Sequence, residues 1–369
     1  MAAASGSPRC IMQHNVIPED KELKDGISHV ILAFMRSETF NIDSPSDFPL
    51  FTSVKEVRQS FPATTKVLVA IGGWGDSAGF EEAAQDGATQ GRWAKNVKRM
   101  VESTGADGVD IDWEYPGGNR DDYKTVPNAQ REWEIDAYPL LLQAIRKTLG
   151  RDKILSIAVP GLERDLMAFT DATVPKIAES VDFVNIMTYD LINRRDTAVQ
   201  HHSGIADSRA SVQRYLDRGL PRSKANFGLG YYVKWVMTEE CRKGEVLGCP
   251  TQLLEDPETG EDLGRTAAFS WHDTVPSEVA ESFARALSDG EYFEDGSYGY
   301  WDERERRWWT FDTVGVIEQK MKELVGSMRL GGVFAWGLGE DAPGFTRLTA
   351  TVHGVRALQG LSGGGKDEL

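Results

Sequence analysis

Apolar residues in this chain gather into short β-branched runs: HVILAF (29–34), KVLVAIGG (66–73), GVDIDWE (108–114), KILSIAV (153–159), DFVNIMTY (182–189), ANFGLGYY (225–232) and GGVFAW (331–336). Between most of them the period changes. Residues 92–104 put Trp93, Val97, Met100 and Val101 at i, i+4, i+7 and i+8, one face of a helix. Residues 134–149 and 210–218 read the same way. Strands that alternate with helices predict parallel pairing with both outer layers covered.

The first six runs start about 28 to 46 residues apart, room for a strand, a loop, a helix and a loop, and the final gap is about twice as long. Something is inserted there. Residues 234–307 contain hairpin-like pieces, DPETGEDLG and YGYWDERERRWW, in which charged turn residues separate short aromatic runs. They predict a small α+β subdomain between the last two barrel strands. A short first strand near residues 9–13 brings the count to eight. The expected fold is therefore α/β: a (β/α)8 TIM barrel over 1–233 and 308–360, the inserted subdomain at 234–307, and a Gly-rich tail at 361–369. A doubly wound open sheet is the alternative. No internal repeat is visible, and low complexity is confined to the tail.

Composition narrows the partners. The chain has 369 residues, 40% hydrophobic and 27% charged, enough for a sizeable core. A formal charge of −16 disfavours nucleic acid and anionic membrane surfaces. No apolar run approaches the ~20 residues of a membrane span. The N-terminal stretch MAAASGSPRCIMQHNVIP lacks the pattern of a secretory signal, whereas the chain ends in KDEL, a retention signal that works only inside the ER lumen. The expected location is secreted or ER-lumenal if a leader precedes this sequence, and cytoplasmic if Met1 is the true start. Cys10, Cys241 and Cys249 are too few to staple a fold of this size. Cys241 and Cys249 would close a small loop in an oxidising compartment, but three bystander thiols are the expectation. His201 and His202 are expected to cap or to be solvated in a loop rather than to bind metal.

The densest chemistry lies in DGVDIDWEYP. In a strand, residues two apart face the same way, so Gly108, Asp110, Asp112 and Glu114 share one face and Val109, Ile111 and Trp113 the other. In a barrel the apolar face packs on the helices and the acids point inward. Crowded anions in a low dielectric raise one another's pKa. Glu114 is the last of them, before Pro116, Gly117 and Gly118 end the strand, which places it at the C-terminal mouth where barrel enzymes do chemistry. A carboxylic acid held protonated there by its two neighbours suits general-acid cleavage of a glycosidic bond. A divalent-cation site and an exposed edge strand are the competing readings of alternating acids.

DGVDIDWE resembles the DxxDxDxE signature of the family 18 glycoside hydrolases, the chitinase family, at Asp107, Asp110, Asp112 and Glu114; the whole chain is most similar to its fungal members. KVLVAIGGWG resembles the third-strand SxGG motif, NIMTYD the sixth-strand MxYD motif, FGLGYYVKW the seventh-strand segment and GGVFAWGLGED the final strand; the long insertion resembles the α+β insertion domain of many such chitinases. The resemblance implies retaining, substrate-assisted hydrolysis of β-1,4-linked N-acetylglucosamine, an exception to the two-carboxylate scheme. It makes Glu114 the acid/base, with Asp112 orienting the acetamide group, Asp110 sharing a proton with Asp112, and Tyr189 donating to the acetamide oxygen. Met187 and Asp190 line the pocket and Trp336 forms its floor. Phe34, Trp74, Tyr115 and Tyr232 complete the substrate-binding set. No metal or other cofactor is implied; the partner is chitin or a chito-oligosaccharide, and the protein is expected to be a monomer. An endo-β-N-acetylglucosaminidase acting on N-glycan cores and a lectin-like binder are the alternatives. This sequence departs from the pattern in having Ala70 where Ser is usual, and Gly230, Val233 and Lys234 where Pro, Gly and Arg are usual. RCIMQHNVIP is also short for a first strand and its loop, which leaves open how well the barrel closes there.

Overall fold

The computed structural model describes residues 7–13, 15–242 and 244–363. Seven of the apolar runs become β2 (His29–Met35), β3 (Lys66–Gly72), β4 (Gly108–Asp112), β5 (Ile154–Pro160), β6 (Phe183–Met187), β7 (Ala225–Gly230) and β13 (Gly332–Trp336). β1 (Arg9–Met12) is the eighth strand. All pair in parallel in the order β1-β13-β7-β6-β5-β4-β3-β2, and the ring is closed. This rules out the open sheet.

The short first strand closes the barrel, a point its length had left open. Its four residues pair on both sides, Arg9 with Phe334 and Ile11 with Trp336 of β13, and Arg9 with His29 through Met12 with Leu32 of β2. Arg9 also reaches across the interior. Its Nη1 donates to Asn226 Oδ1 at 3.0 Å and its guanidinium lies 4.3 Å from the Phe183 ring centroid. Gly332 makes room for it, since a Cβ there would meet Arg9 Nη1 at 2.3 Å. Closure thus depends on one long buried side chain that strand length does not reveal.

Helices sheathe the barrel. In the longest of the first half, Gly87–Thr104, the Asp86 side chain caps the N-terminus by accepting from Ala88 N and Thr89 N, and Gly105 ends it at φ 73°. Its predicted face, Trp93, Val97, Met100 and Val101, is fully buried. The helix predicted at 134–149 is Trp133–Leu149, and the one at 210–218 runs over Ile205–Asp217. Trp113 points outward as its parity requires, stacked on Phe80 at 5.3 Å and edge-on to Tyr138 at 5.7 Å.

Between β7 and β13 lies a five-stranded antiparallel sheet. Its strands are β8 (Tyr232–Met237), β9 (Thr266–Ser270), β10 (Glu291–Tyr292), β11 (Tyr298–Asp302) and β12 (Arg307–Thr310), in the order β10-β11-β12-β8-β9. The helix Ala280–Asp289 packs on it through Phe283, whose ring meets Phe269, Trp309 and Phe311.

Two expectations are corrected. Cys241 and Cys249 are not bystander thiols but form a disulfide, with Cα atoms 5.8 Å apart, and both belong to a buried cluster that includes Val199 and Trp308. Cys10 is the free, buried thiol. His201 and His202 are not solvated. Both are buried, His201 edge-on to Phe293 and Trp308 and His202 5.1 Å from Tyr232, because the small sheet folds over their loop. Burial pushes them down to about 4 and about 3, so both rings are neutral. No helix among the described residues is long and apolar enough to cross a membrane. The KDEL end lies outside the described residues.

Truncating Arg9 tests the closure. Arg9→Ala leaves a cavity and strands the Asn226 carbonyl, and should lower the unfolding free energy by about 2–4 kcal/mol. Urea denaturation reads this as a lower midpoint at unchanged slope.

Candidate active site

The inward face of β4 begins with Gly108, where a Cβ would strike Ile154 O at 2.1 Å, and continues with Asp110 and Asp112, both essentially buried. Asp110 Oδ1 accepts from Ser156 Oγ of β5 and, at 3.2 Å, from Asn185 Nδ2 of β6. The chain of bonds continues around the barrel: Asn226 Nδ2 of β7 donates to Asn185 Oδ1 at 2.9 Å, and Arg9 of β1 donates to Asn226 Oδ1. Ala70 stands in register with Asp110 on β3 and offers it no donor. Asp110 Oδ2 and Asp112 Oδ1 have no hydrogen-bond partner in the protein.

These surroundings set the charge states. Burial lifts Asp110 to about 6, partly offset by Ser156 and Asn185. Burial also raises Asp112 well above the usual carboxylate range, and Glu114 and Asp110 add to it. Glu114 is pushed up to about 7, first by burial and then by the charges of Asp190 and Asp165, against an opposing hydrogen bond from Tyr115. The structure adds to the sequence reading: Asp112 and Glu114 raise each other, and burial and carboxylates from the loops after β5 and β6 also hold Glu114 protonated.

Above the ladder is a cavity of about 840 Å³. Asp112 and Glu114 line it, as do Tyr115 and Trp74 from the ends of β4 and β3. Met187, Tyr189 and Asp190 reach it from β6, Tyr232 from β8, and Phe34 and Trp336 from β2 and β13. Of the sequence-predicted set only Asp110 does not line the cavity; it lies beneath. Phe34 and Trp336 stack at 5.7 Å, and Trp74, half-exposed, meets Tyr115 edge-on at 6.3 Å. The Tyr189 hydroxyl is buried and unpartnered, and burial with the nearby acids keeps it protonated.

Asp190 takes a left-handed backbone conformation, φ 53°, which aims its side chain back into the cavity. Burial raises its pKa, but Lys234 Nζ at 2.6 Å, with a hydrogen bond from Tyr232, more than offsets this, and the carboxyl sits below its usual range. Lys234, left uncertain by the sequence pattern, is thus the counter-ion of Asp190. Asp165, Arg195 and Glu340 also line the cavity and were missed. The signal for Asp165 was present: it follows an apolar strand at the barrel mouth, as Asp190 does.

The Glu114 carboxyl, followed by carbon-13 NMR, should titrate with a midpoint near 7. Removing a neighbouring negative charge favours its ionised form, so Asp190→Asn should move that midpoint to lower pH. An unmoved midpoint would remove Asp190 from the causes.

The sequence model described as "Glycosyl hydrolases family 18" matches residues 10–341. "Chitinase 1" of Aphanocladium album is 27% identical over 308 residues, covering 78% of this chain and 64% of that protein. "Endochitinase 1" of Metarhizium anisopliae is 28% identical over 300 residues, covering 78% and 64%. The chain thus spans a little under two thirds of the length of these relatives. Among solved structures, a chitinase from Rhizomucor miehei superposes with a TM-score of 0.76 at 20% identity, covering 95% of this chain and all of that one. The Group IV chitinase of Ostrinia furnacalis in complex with allosamidin gives 0.73 at 19%, covering 96% of this chain and all of that one. At these identities the structures attest the fold, and the match over residues 10–341 attests the family: the chain belongs to the family 18 glycosyl hydrolases.

Proposed function

We propose that the protein is a chitinase that hydrolyses β-1,4-linked N-acetylglucosamine with retention of configuration, using the substrate's own acetamide group as nucleophile. The observation that carries this reading is a Glu114 carboxyl lifted to about 7 at a cavity whose floor carries a second carboxyl, Asp112, with an unpartnered oxygen.

The sugar to be cleaved lies on Trp336, whose indole covers the apolar C–H face of the ring. Glu114 gives its proton to the glycosidic oxygen as the acetamide oxygen bonds to the anomeric carbon, and the leaving sugar departs with that proton. The Tyr189 hydroxyl donates to the acetamide oxygen. Asp112 accepts from the acetamide N–H and offsets the positive charge of the oxazolinium, while Asp110, fixed by Ser156 and Asn185, shares a proton with Asp112. Ionised Glu114 then takes a proton from water, which attacks the anomeric carbon from the face that the leaving sugar vacated. Two inversions give net retention. The antiparallel sheet between β7 and β13 acts as an insertion that walls the groove, with β9 along its side. The relatives named chitinase support this substrate class, as does the allosamidin complex of the Ostrinia furnacalis protein.

Glu114→Gln should bind chitohexaose with unchanged affinity by calorimetry and lose at least about a hundredfold in turnover. Anomer analysis of the wild-type products should show the β form first. Products that appear first as the α anomer would rule out the mechanism.

A further inference from the structure

A buried acid that acts on Glu114 only through its charge, and to which the proposed reaction gives no substrate contact, opens on the same cavity. Asp165 closes the single turn Glu163–Asp165 after β5, is 5% exposed, and lines the cavity with its Oδ1 unpartnered. The cations beside it are committed elsewhere. Arg164 is bidentate on Asp196 at 2.6 and 3.1 Å, and Arg195 donates to Asn119 O and Arg120 O at 3.0 and 2.6 Å. Asp190, the next acid along the mouth, has Lys234. The carboxyl keeps a hydrogen bond from the Asn119 side chain and feels the charges of Arg164 and Arg195, but its Oδ1 has no donor; a carboxylate oxygen withdrawn from water without one is costly, so the missing donor is expected from the cavity.

The place of Asp165 in the groove indicates which sugar supplies the donor. Glu114 must stand between the two sugars it separates. Trp336 with Phe34 forms one platform, and Trp74 forms the other, in contact with Tyr115, the residue directly after Glu114. Asp165 acts electrostatically on Glu114, Tyr115 and Arg195, and the Arg195 guanidinium is 5.7 Å from the Trp74 ring centroid. Asp165 therefore flanks the Trp74 platform, where the leaving sugar lies. In a polymer of 2-acetamido sugars the group that can gain positive charge is the C2 nitrogen, once its acetyl group is lost.

We propose that Asp165 is a specificity-determining residue for the leaving sugar: its free oxygen accepts a hydrogen bond from the C2 nitrogen and favours a deacetylated glucosamine unit, an ammonium, over an N-acetylated one. The protein then cuts partially deacetylated chitin preferentially where an acetylated unit precedes a free amino sugar. The inference rests on the chitinase reading and adds to it the substrate's acetylation pattern. Above pH 6 the carboxyl, lifted by burial to about 6, carries the charge that this pairing needs.

The test is to digest randomly deacetylated chitin above pH 6 and to sequence the new non-reducing ends, each of which is a former leaving sugar. Wild type should raise the odds of glucosamine over N-acetylglucosamine there roughly tenfold above those in the polymer, the size expected of one hydrogen bond to a charged group. Asp165→Asn should abolish the enrichment, which is read from the composition of the new ends and so is independent of whatever the loss of its charge beside Glu114 does to the rate on fully acetylated chitohexaose; Asp165→Ser serves if the first variant does not fold. Equal enrichment in variant and wild type, or none in wild type, overturns the proposal. A wild-type protein that cleaves neither substrate overturns the chitinase reading instead.

Discussion

The constraint on which the rest depends is the confinement of Asp110 inside a closed barrel. An acid that deep is tolerable only if its oxygens are satisfied or its charge removed. Here the two remedies are divided. Ser156 and Asn185 hold one oxygen, and Asn226 and Arg9 hold Asn185 in turn, so four other strands fix the position of a single carboxylate. The second oxygen has no protein donor, and its remedy is loss of charge, since burial lifts the carboxyl to about 6. Stability and chemistry are therefore joined at one residue. The belt that closes β1 onto the barrel also orients the lowest member of the acid ladder.

Much of this was legible because both signals are local. Period-two alternation placed Asp110, Asp112 and Glu114 inward and Trp113 outward, and the structure keeps that division. The helix face of Trp93, Val97, Met100 and Val101 followed from a period of 3.6. What was misread depends on contacts between distant segments. Four residues looked too few for a first strand because the reach of Arg9 to Phe183 and Asn226 leaves no mark in RCIM. The Cys241–Cys249 bond and the burial of His201 and His202 arise only when the small sheet closes over the loop after β6. Part of the source of the high Glu114 pKa was missed for the same reason: besides Asp112 of its own strand, acids from neighbouring loops press on it.

The antiparallel sheet has an independent basis for order. Its core is aromatic, with Trp235, Phe269, Phe283, Trp309 and Phe311 packed mostly tilted or edge-to-face, an arrangement the ring quadrupole favours. Lys234 belongs to this sheet, yet its ammonium is delivered to Asp190 of the barrel. The two units are thus coupled electrostatically at the catalytic mouth as well as by packing around His202.

β9 ends its sheet, pairing with β8 alone, and it borders the groove along its length. Its middle residues, Ala267 and Ala268, present little beyond main chain, so that side of the cleft is made largely of peptide groups. Such a margin is shaped by backbone path rather than by side-chain identity. Exchanges among small residues there leave its contour intact, whereas proline, by withdrawing an amide hydrogen and fixing φ, would redraw it.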